Sequence, residues 1–358
     1  MSSLHGVDLD RIGVPDRVDF GSHPSGRVVS LISFVESVVT AEPLTPIVPE
    51  PVHRPVLLDE VVAWLAPREG SVLVDGTVGA GGHAVALARR VGAEGRVIGI
   101  DRDPEMLALA EVATQGLPVT LVRSPYSALN KVLDDLGIDQ VDGVLLDLGL
   151  SSDQLGWPHR GFSFAVEGPL DMRYDPRSGP SAADLVNELD EEELARIFYE
   201  YGEERHGRRV ARRIVEARRI EPITTTGRLA DLVRKSIPGK WGQIDPATRV
   251  FQALRIEVND ELDHLDDTLV DLVDILRPGG RAAILSFHSL EDRRVKETFR
   301  DDSRLSVLTR KPVVASAEEV AINPRARSAK MRVAERCPEL IGPPEPPDLR
   351  PRGRTPDR

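Results

Sequence analysis

Asp75, Gly76, Gly79, Gly81, Gly82 and His83 follow directly on the apolar run Val72, Leu73, Val74. Glycines at a strand-to-helix turn let the backbone approach a ligand closely. A second apolar run, residues 96–100, ends in Asp101, whose carboxylate can accept hydrogen bonds from ribose hydroxyls, as an acidic group about 20 residues past such a turn does. Together they describe a site for an adenosine-type cofactor. A dinucleotide would want Gly-x-Gly-x-x-Gly, so that a pyrophosphate sits on free backbone N–H groups. Here the third glycine position is Ala84, and Asp75 would repel a pyrophosphate but attract an ammonium group. The chemistry therefore favours S-adenosylmethionine over a nicotinamide cofactor. Asp75 is either a neighbour of the methionine ammonium or an acceptor within the turn.

The elements that must hold these groups alternate. Leu57, Val61 and Leu65 have helical spacing. The strand 71–75 leads to a helix through Val85, Ala88 and Val91, and the strand ending at Asp101 to a helix 106–113 begun by Asp103-Pro104, an N-cap and first helical residue. A strand 119–122, a helix near 129–136 and a strand 141–147 follow. Continuous apolar strands between helices imply a parallel sheet covered on both faces. From 151 to about 245 the periodicity is helical only, with stripes through Leu194, Ile197, Phe198 and Tyr201, through Val210, Ile214 and Val215, and through Leu229, Leu232, Val233 and Ile237. A long helix from Val258 through Leu276, stopped by Pro278-Gly279-Gly280, and a strand 281–287 resume the alternation.

The expected fold is α/β: a doubly wound, Rossmann-like domain (51–150 and 246–336) interrupted by an inserted all-helical domain (151–245). A Gly, Pro and Ser-rich extension, 1–50, and a Pro/Arg-rich tail, 337–358, flank it and are expected to lack a core.

Arg205, Arg208, Arg209, Arg212 and Arg213 recur every three or four residues and can form one positive helix face. With Lys235 and Lys240 they could contact phosphates, or else be a solvated face paired with Glu203 and Glu204. Arg325, Arg327, Lys330 and Arg332 add a second basic cluster. Trp157, Phe162 and Phe164 offer rings for a base taken out of its stack, or pack the helical insertion. His288 and Glu291 are either polar contacts at a strand end or caps. No His, Cys or carboxylate group has metal-ligand spacing, and no metal is expected. The net charge of −12 argues against steering of the whole surface onto nucleic acid while leaving room for a local basic face. A single cysteine, Cys337, fits a reducing compartment. Lacking an apolar run of membrane-spanning length and a signal-peptide pattern, the chain is expected to be soluble and cytoplasmic. Oligomeric state is left open.

Several stretches resemble the bacterial S-adenosylmethionine-dependent methyltransferases that modify N4 of a cytidine in 16S ribosomal RNA, at the decoding centre of the small subunit. They include His53-Arg54-Pro55, Gly79-Ala80-Gly81-Gly82-His83, Gly99-Ile100-Asp101-Arg102-Asp103-Pro104, Leu146-Asp147-Leu148-Gly149-Leu150-Ser151-Ser152-Asp153-Gln154, Arg160-Gly161-Phe162-Ser163-Phe164, Ser286-Phe287-His288-Ser289-Leu290-Glu291 and Asn323-Pro324-Arg325-Ala326-Arg327-Ser328. The resemblance implies that Gly81, Gly82 and His83 contact the methionine portion of the cofactor, Asp101 its ribose and Tyr126 its adenine, with Asp147 and Gln154 completing the site. His83 is alternatively a helix-end contact. Asp147 is the expected catalytic residue, orienting the acceptor amine or taking its proton. Tyr126 replaces a usual phenylalanine, and Asp245 a usual histidine. A methyltransferase for another nucleic acid or a protein amine is the alternative.

Overall fold

The computed structural model describes residues 55–237 and 245–338. The extension 1–50, His53, Arg54, Lys240 and nearly all of the tail lie outside the described residues. In chain order the elements are α1 (Leu58–Leu65), β1 (Val72–Asp75), α2 (Gly82–Val91), β2 (Arg96–Asp101), α3 (Pro104–Ala113), β3 (Val119–Arg123), α4 (Leu129–Asp135) and β4 (Val141–Asp147). Six helices follow: α5 (Ser152–Gly156), α6 (Ala182–Glu188), α7 (Glu191–Glu200), α8 (Gly207–Arg218), α9 (Thr226–Ser236) and α10 (Ala247–Asn259). The chain then returns to the sheet through α11 (Glu261–Ile275), β5 (Leu276–Ser286), α12 (Ser289–Asp301), β6 (Leu305–Val307), α13 (Ala317–Ile322) and β7 (Lys330–Arg336).

The strands form one sheet in the order β3-β2-β1-β4-β5-β7-β6, parallel except where β7 runs antiparallel to β5 and β6. Alternation along each strand divides the apolar residues between two cores. Leu73, Val97 and Leu145 face α1 and α2, whereas Val74, Ile98 and Leu146 face α11 and α12. This is the doubly wound sheet expected from the sequence. Its order reverses between β1 and β4, and in such sheets ligands bind in the crevice beyond the carboxyl ends of the strands at that point. Asp75, Asp101 and Asp147 are the last residues of β1, β2 and β4.

A third core, among them Phe198, Ile214, Leu229 and Leu254, is built from α6 to α10. The stripes expected through 194–201, 210–215 and 229–237 supply its inward faces. α10, beyond residue 245, also packs Val250, Phe251 and Leu254 into it.

Three local expectations are corrected. The helix expected to run from Val258 to Leu276 is two, broken at Asp260, whose left-handed φ of 49° ends α10 and starts α11. β5 starts at Leu276 rather than Arg281. It pairs Val141 with Leu276 and Gly143 with Arg281, so Pro278-Gly279-Gly280 forms an irregularity within the strand instead of a helix stop. Lys330 and Arg332 belong to β7, and both pair with Asp292 (3.3 and 2.7 Å) instead of extending a free basic cluster.

Candidate active site

The turn between β1 and α2 is shaped by its own backbone. Gly81 sits at φ 90°, a conformation that disfavours a side chain, and a Cβ on Gly82 would meet Pro55 Cγ at 2.4 Å. The N–H groups of Thr77, Val78, Gly79 and Gly81 donate to Asp75 Oδ1, Ile100 O, Asp101 Oδ2 and Val78 O. Few remain for a pyrophosphate, consistent with the argument from Ala84 and Asp75. Asp101 also accepts from Asp103 N–H (2.9 Å), which fixes its carboxylate at the cleft wall while leaving lone pairs for hydroxyl donors.

An open cleft lies over these strand ends. Gly82, His83, Asp101, Tyr126, Asp147 and Gln154 all line it, so the structure brings together six of the seven residues implied by the family resemblance. Gly81 sits behind them, its α-carbon facing Ala110 of α3. The hydroxyl that Tyr126 has and a phenylalanine would lack donates to the carbonyl of Glu261 (3.2 Å), while its ring contacts His264 edge-on at 6.2 Å. Burial, with Glu261 nearby, raises its phenol well above the ordinary range. Gln154 caps α5 reciprocally with Ser151 and donates to Asp103 Oδ2 (2.8 Å). Its amide is thus engaged in holding the loop after β4.

Two carboxyl groups that line the cleft, Asp101 and Asp147, share one electrostatic condition with Asp75, which is fully buried just before the lining residues Gly76 and Thr77. Burial, then the charge of Asp147, pushes Asp75 up to about 8 against the Thr77 N–H. Burial pushes Asp101 up to about 6. Asp147 is also raised by burial, with His83 and Arg325 pulling the other way. Asp75 Oδ2 and Asp147 Oδ1 are buried without a hydrogen-bond partner. An orphaned carboxylate oxygen at a cleft, with another buried behind the cleft wall, favours a cationic occupant, which lowers their cost of ionisation. S-adenosylmethionine carries a sulfonium and an ammonium, and this donor set fits it. Of the two alternatives for Asp75 the structure shows the turn acceptor, through Oδ1, and leaves Oδ2 unmatched.

Residues that the resemblance had not assigned also reach the cleft. Arg325 stands over the Phe287 ring (5.5 Å) in the 3-10 turn Pro324–Ser328. Tyr174, from the helical segment, donates to Glu261 Oε1 (3.1 Å) beneath Arg102. Arg255 holds Glu261 through two hydrogen bonds of 2.7 and 2.8 Å. No periodicity announces Tyr174, because it lies in a loop. Among the described residues, Glu261, His288 and Glu291 bring potential ligand atoms within 4.8 Å of one another. Glu261 is engaged by Arg255 and Tyr174, while Glu291 accepts from Phe287 N–H and caps α12 with His288. The capping alternative for His288 and Glu291 is therefore realised.

Phe162 is buried in the helical core and Phe164 packs edge-on against Phe251 (4.8 Å), so these rings take the packing alternative. Trp157 stacks on His159. On α8, Arg208, Arg209, Arg212 and Arg213 are exposed together, with Arg205 just before the helix. Arg212 pairs with Glu191 (3.4 Å) and Arg213 with Glu216 (3.6 Å), rather than with Glu203 and Glu204. Asp245 accepts from Ala247 N–H at the start of α10 and binds Arg234 (2.8 Å), which accounts for a carboxylate there.

A doubly wound sheet with this cleft at its switch point defines a Rossmann-like methyltransferase that uses S-adenosylmethionine. The chain belongs to the MraW methylase family, whose pattern matches residues 50–337. Over 306 residues it is 48% identical to a protein of Citrifermentans bemidjiense named ribosomal RNA small subunit methyltransferase H, covering 79% of this chain and 98% of that one. A protein of the same name from Deinococcus deserti is 51% identical over 302 residues, covering 84% and 96%.

Proposed function

We propose that this protein transfers the methyl group of S-adenosylmethionine to N4 of a cytidine at the decoding centre of 16S ribosomal RNA. The observation that carries this reading is the convergence of Asp101 and Asp147 on one cleft at the strand-order reversal, with Asp75 buried at the end of the strand between theirs. In it, Gly81, Gly82 and His83 adjoin the methionine portion, Asp101 takes the ribose hydroxyls, Tyr126 lies along the adenine, and Gln154 holds the loop that closes the site. Exocyclic N4 is a weak nucleophile because its lone pair is delocalised into the ring. Rate must therefore come from alignment of sulfur, methyl and nitrogen, and from an acceptor for the N4 hydrogens. Asp147 Oδ1, buried and unmatched, is that acceptor.

The helical segment 151–245 serves as the substrate-recognition domain, with the arginine face of α8 positioning phosphates. Because the chain as a whole is acidic, an assembled small subunit is a better substrate than naked RNA: particle shape adds recognition that charge alone does not. The site of action is then the cytoplasm. The test incubates purified protein, labelled S-adenosylmethionine and small ribosomal subunits, and identifies the modified nucleoside by mass spectrometry. N4-methylcytidine is expected, with turnover reduced about 10²–10⁴-fold in Asp147→Asn, the usual range for a general base. Label at cytidine C5, a ribose hydroxyl or a ribosomal protein would refute the reading.

A further inference from the structure

His83 does more at this site than border the cofactor. Its ring is 5% exposed. Nε2 lies 3.0 Å from the carbonyl oxygen of Val56, and Nδ1 lies 3.7 Å from Asp147 Oδ2. A carbonyl can only accept, so Nε2 carries a hydrogen, and the ring's variable proton belongs to Nδ1. Nδ1 faces a carboxylate that is itself nearly buried, and two lone pairs in that position repel unless a proton lies between them. The other oxygen, Oδ1, has no partner. Asp147 is further fixed by its N–H, which donates to Thr77 Oγ1 at 2.6 Å. One carboxylate thus presents one oxygen to the cleft and the other to an imidazole of defined tautomer.

We propose that His83 and Asp147 form a proton-sharing pair, in which His83 is the positioning residue that lets Asp147 keep the proton released from the methyl acceptor. The inference rests on the reading of an exocyclic amine as acceptor. In the active form Asp147 is ionised and His83 is neutral. The amine nitrogen bonds to the methyl carbon as the carbon–sulfur bond breaks, and that electron pair stays on sulfur. The N–H bond then breaks, its electrons remain on nitrogen, and the proton passes to Asp147. The negative pair ends neutral: the proton sits on Oδ1, and Oδ2 no longer sets a full negative charge against the Nδ1 lone pair. The charged groups facing the pair from neighbouring elements are Asp75 at the end of β1, Glu291 on α12 and Arg325 in the 3-10 turn. They are the same before and after the transfer, so the pair itself absorbs the change.

The test is the pH dependence of single-turnover methyl transfer to small subunits at saturating S-adenosylmethionine. His83→Gln keeps an amide N–H for the Val56 carbonyl but removes the group that shares the proton. In the wild-type protein the rate should rise through the ionisation of the pair. In His83→Gln, Asp147 loses the imidazole that opposes the raising effect of burial, so the limb should move to higher pH and the plateau should fall about tenfold or more. Because His83 also adjoins the cofactor, calorimetry of S-adenosylmethionine binding sets the concentration that saturates each protein, and the limb and plateau are compared only there. An unmoved limb, or slowing by the same factor at every pH, would overturn the proposal and return His83 to a packing role. Nitrogen NMR of histidine-labelled wild-type protein tests it without a variant. At alkaline pH His83 should show hydrogen on Nε2 and none on Nδ1, and the opposite tautomer overturns the proposal. Mass spectrometry of the product nucleoside reports separately on the acceptor, so a methyl group on another atom would refute the N4 reading while the tautomer and the limb still decide the pair.

Discussion

Binding of S-adenosylmethionine should expel a proton, and Asp75 is its source. With its carboxyl pushed up to about 8 by burial and by Asp147, Asp75 is protonated in roughly nine-tenths of ligand-free molecules at pH 7. The sign for stability follows directly. An acid raised in the folded state gives its full contribution below the unfolded value of 3.8, and loses it as pH rises through about 8. At about 1.4 kcal/mol per unit, that interval corresponds to several kcal/mol that the ligand-free fold forgoes in alkali. An ammonium bound beside Asp75 would reverse the preference and draw Asp75 into its ionised form. Affinity should then rise by nearly tenfold per pH unit between about pH 6 and 7 and level off above 8, with Asp101, pushed up to about 6, steepening the acid end. Calorimetry at pH 7 in buffers of different ionisation enthalpy should count about 0.9 proton released per cofactor bound. In Asp75→Asn, the neutral isostere of the protonated acid, the release should fall close to zero and ligand-free stability should improve most at pH 9. Methylthioadenosine, which lacks the ammonium, should release little from either protein. Cofactor binding without proton exchange, or equal release from wild type and Asp75→Asn, would refute the reasoning.

Other outcomes follow from the same geometry. Asp101→Ala removes a charged acceptor and should weaken cofactor binding by about 1.5–3 kcal/mol in calorimetry, even in a variant that remains folded. Joint replacement of Arg208, Arg209 and Arg212 by Gln should lower affinity for small-subunit RNA and reduce the slope of log affinity against log salt by about 2, since each lost phosphate contact contributes roughly 0.7–0.9 and Arg212 is partly engaged by Glu191. Cofactor affinity should not change in that variant. Arg255→Met strands the buried carboxylate of Glu261 and should cost about 3–5 kcal/mol in denaturant unfolding, part of it recovered by adding Glu261→Gln.

The site's frame was legible because its signals are local. Glycines at the β1–α2 turn, Asp101 at a strand end and the Asp103-Pro104 cap each announce a backbone event within a few residues, and Asp103 does accept from Glu105 N–H (3.0 Å). β7 was not legible because its inward Met331 and Val333 alternate with charges, one of which, Arg332, is buried against Asp292 on α12. A cation neutralised by a residue 40 positions away looks in sequence like a free one. The break at Asp260 escaped for a related reason. A non-glycine residue at positive φ leaves no pattern, and the apolar repeat runs on across it. The pairing of His83 with Val56 and Asp147 is likewise set by tertiary approach.

Asp103 has implications for any attempt to shorten this enzyme. Fully buried, it caps α3 with one oxygen, while the other accepts from Gln154 on α5 and from Arg160 (2.8 Å each), whose guanidinium also reaches the carbonyls of Arg173 and Tyr174. The segment after β4 therefore completes the cofactor half from within and is not simply appended to it. Excising 151–245 would leave a buried anion with no counter-charge beside Asp101, and a minimal catalytic core would need Asp103 redesigned before it could stand alone. Grafting a different recognition module onto the same sheet would have to reproduce that one guanidinium first.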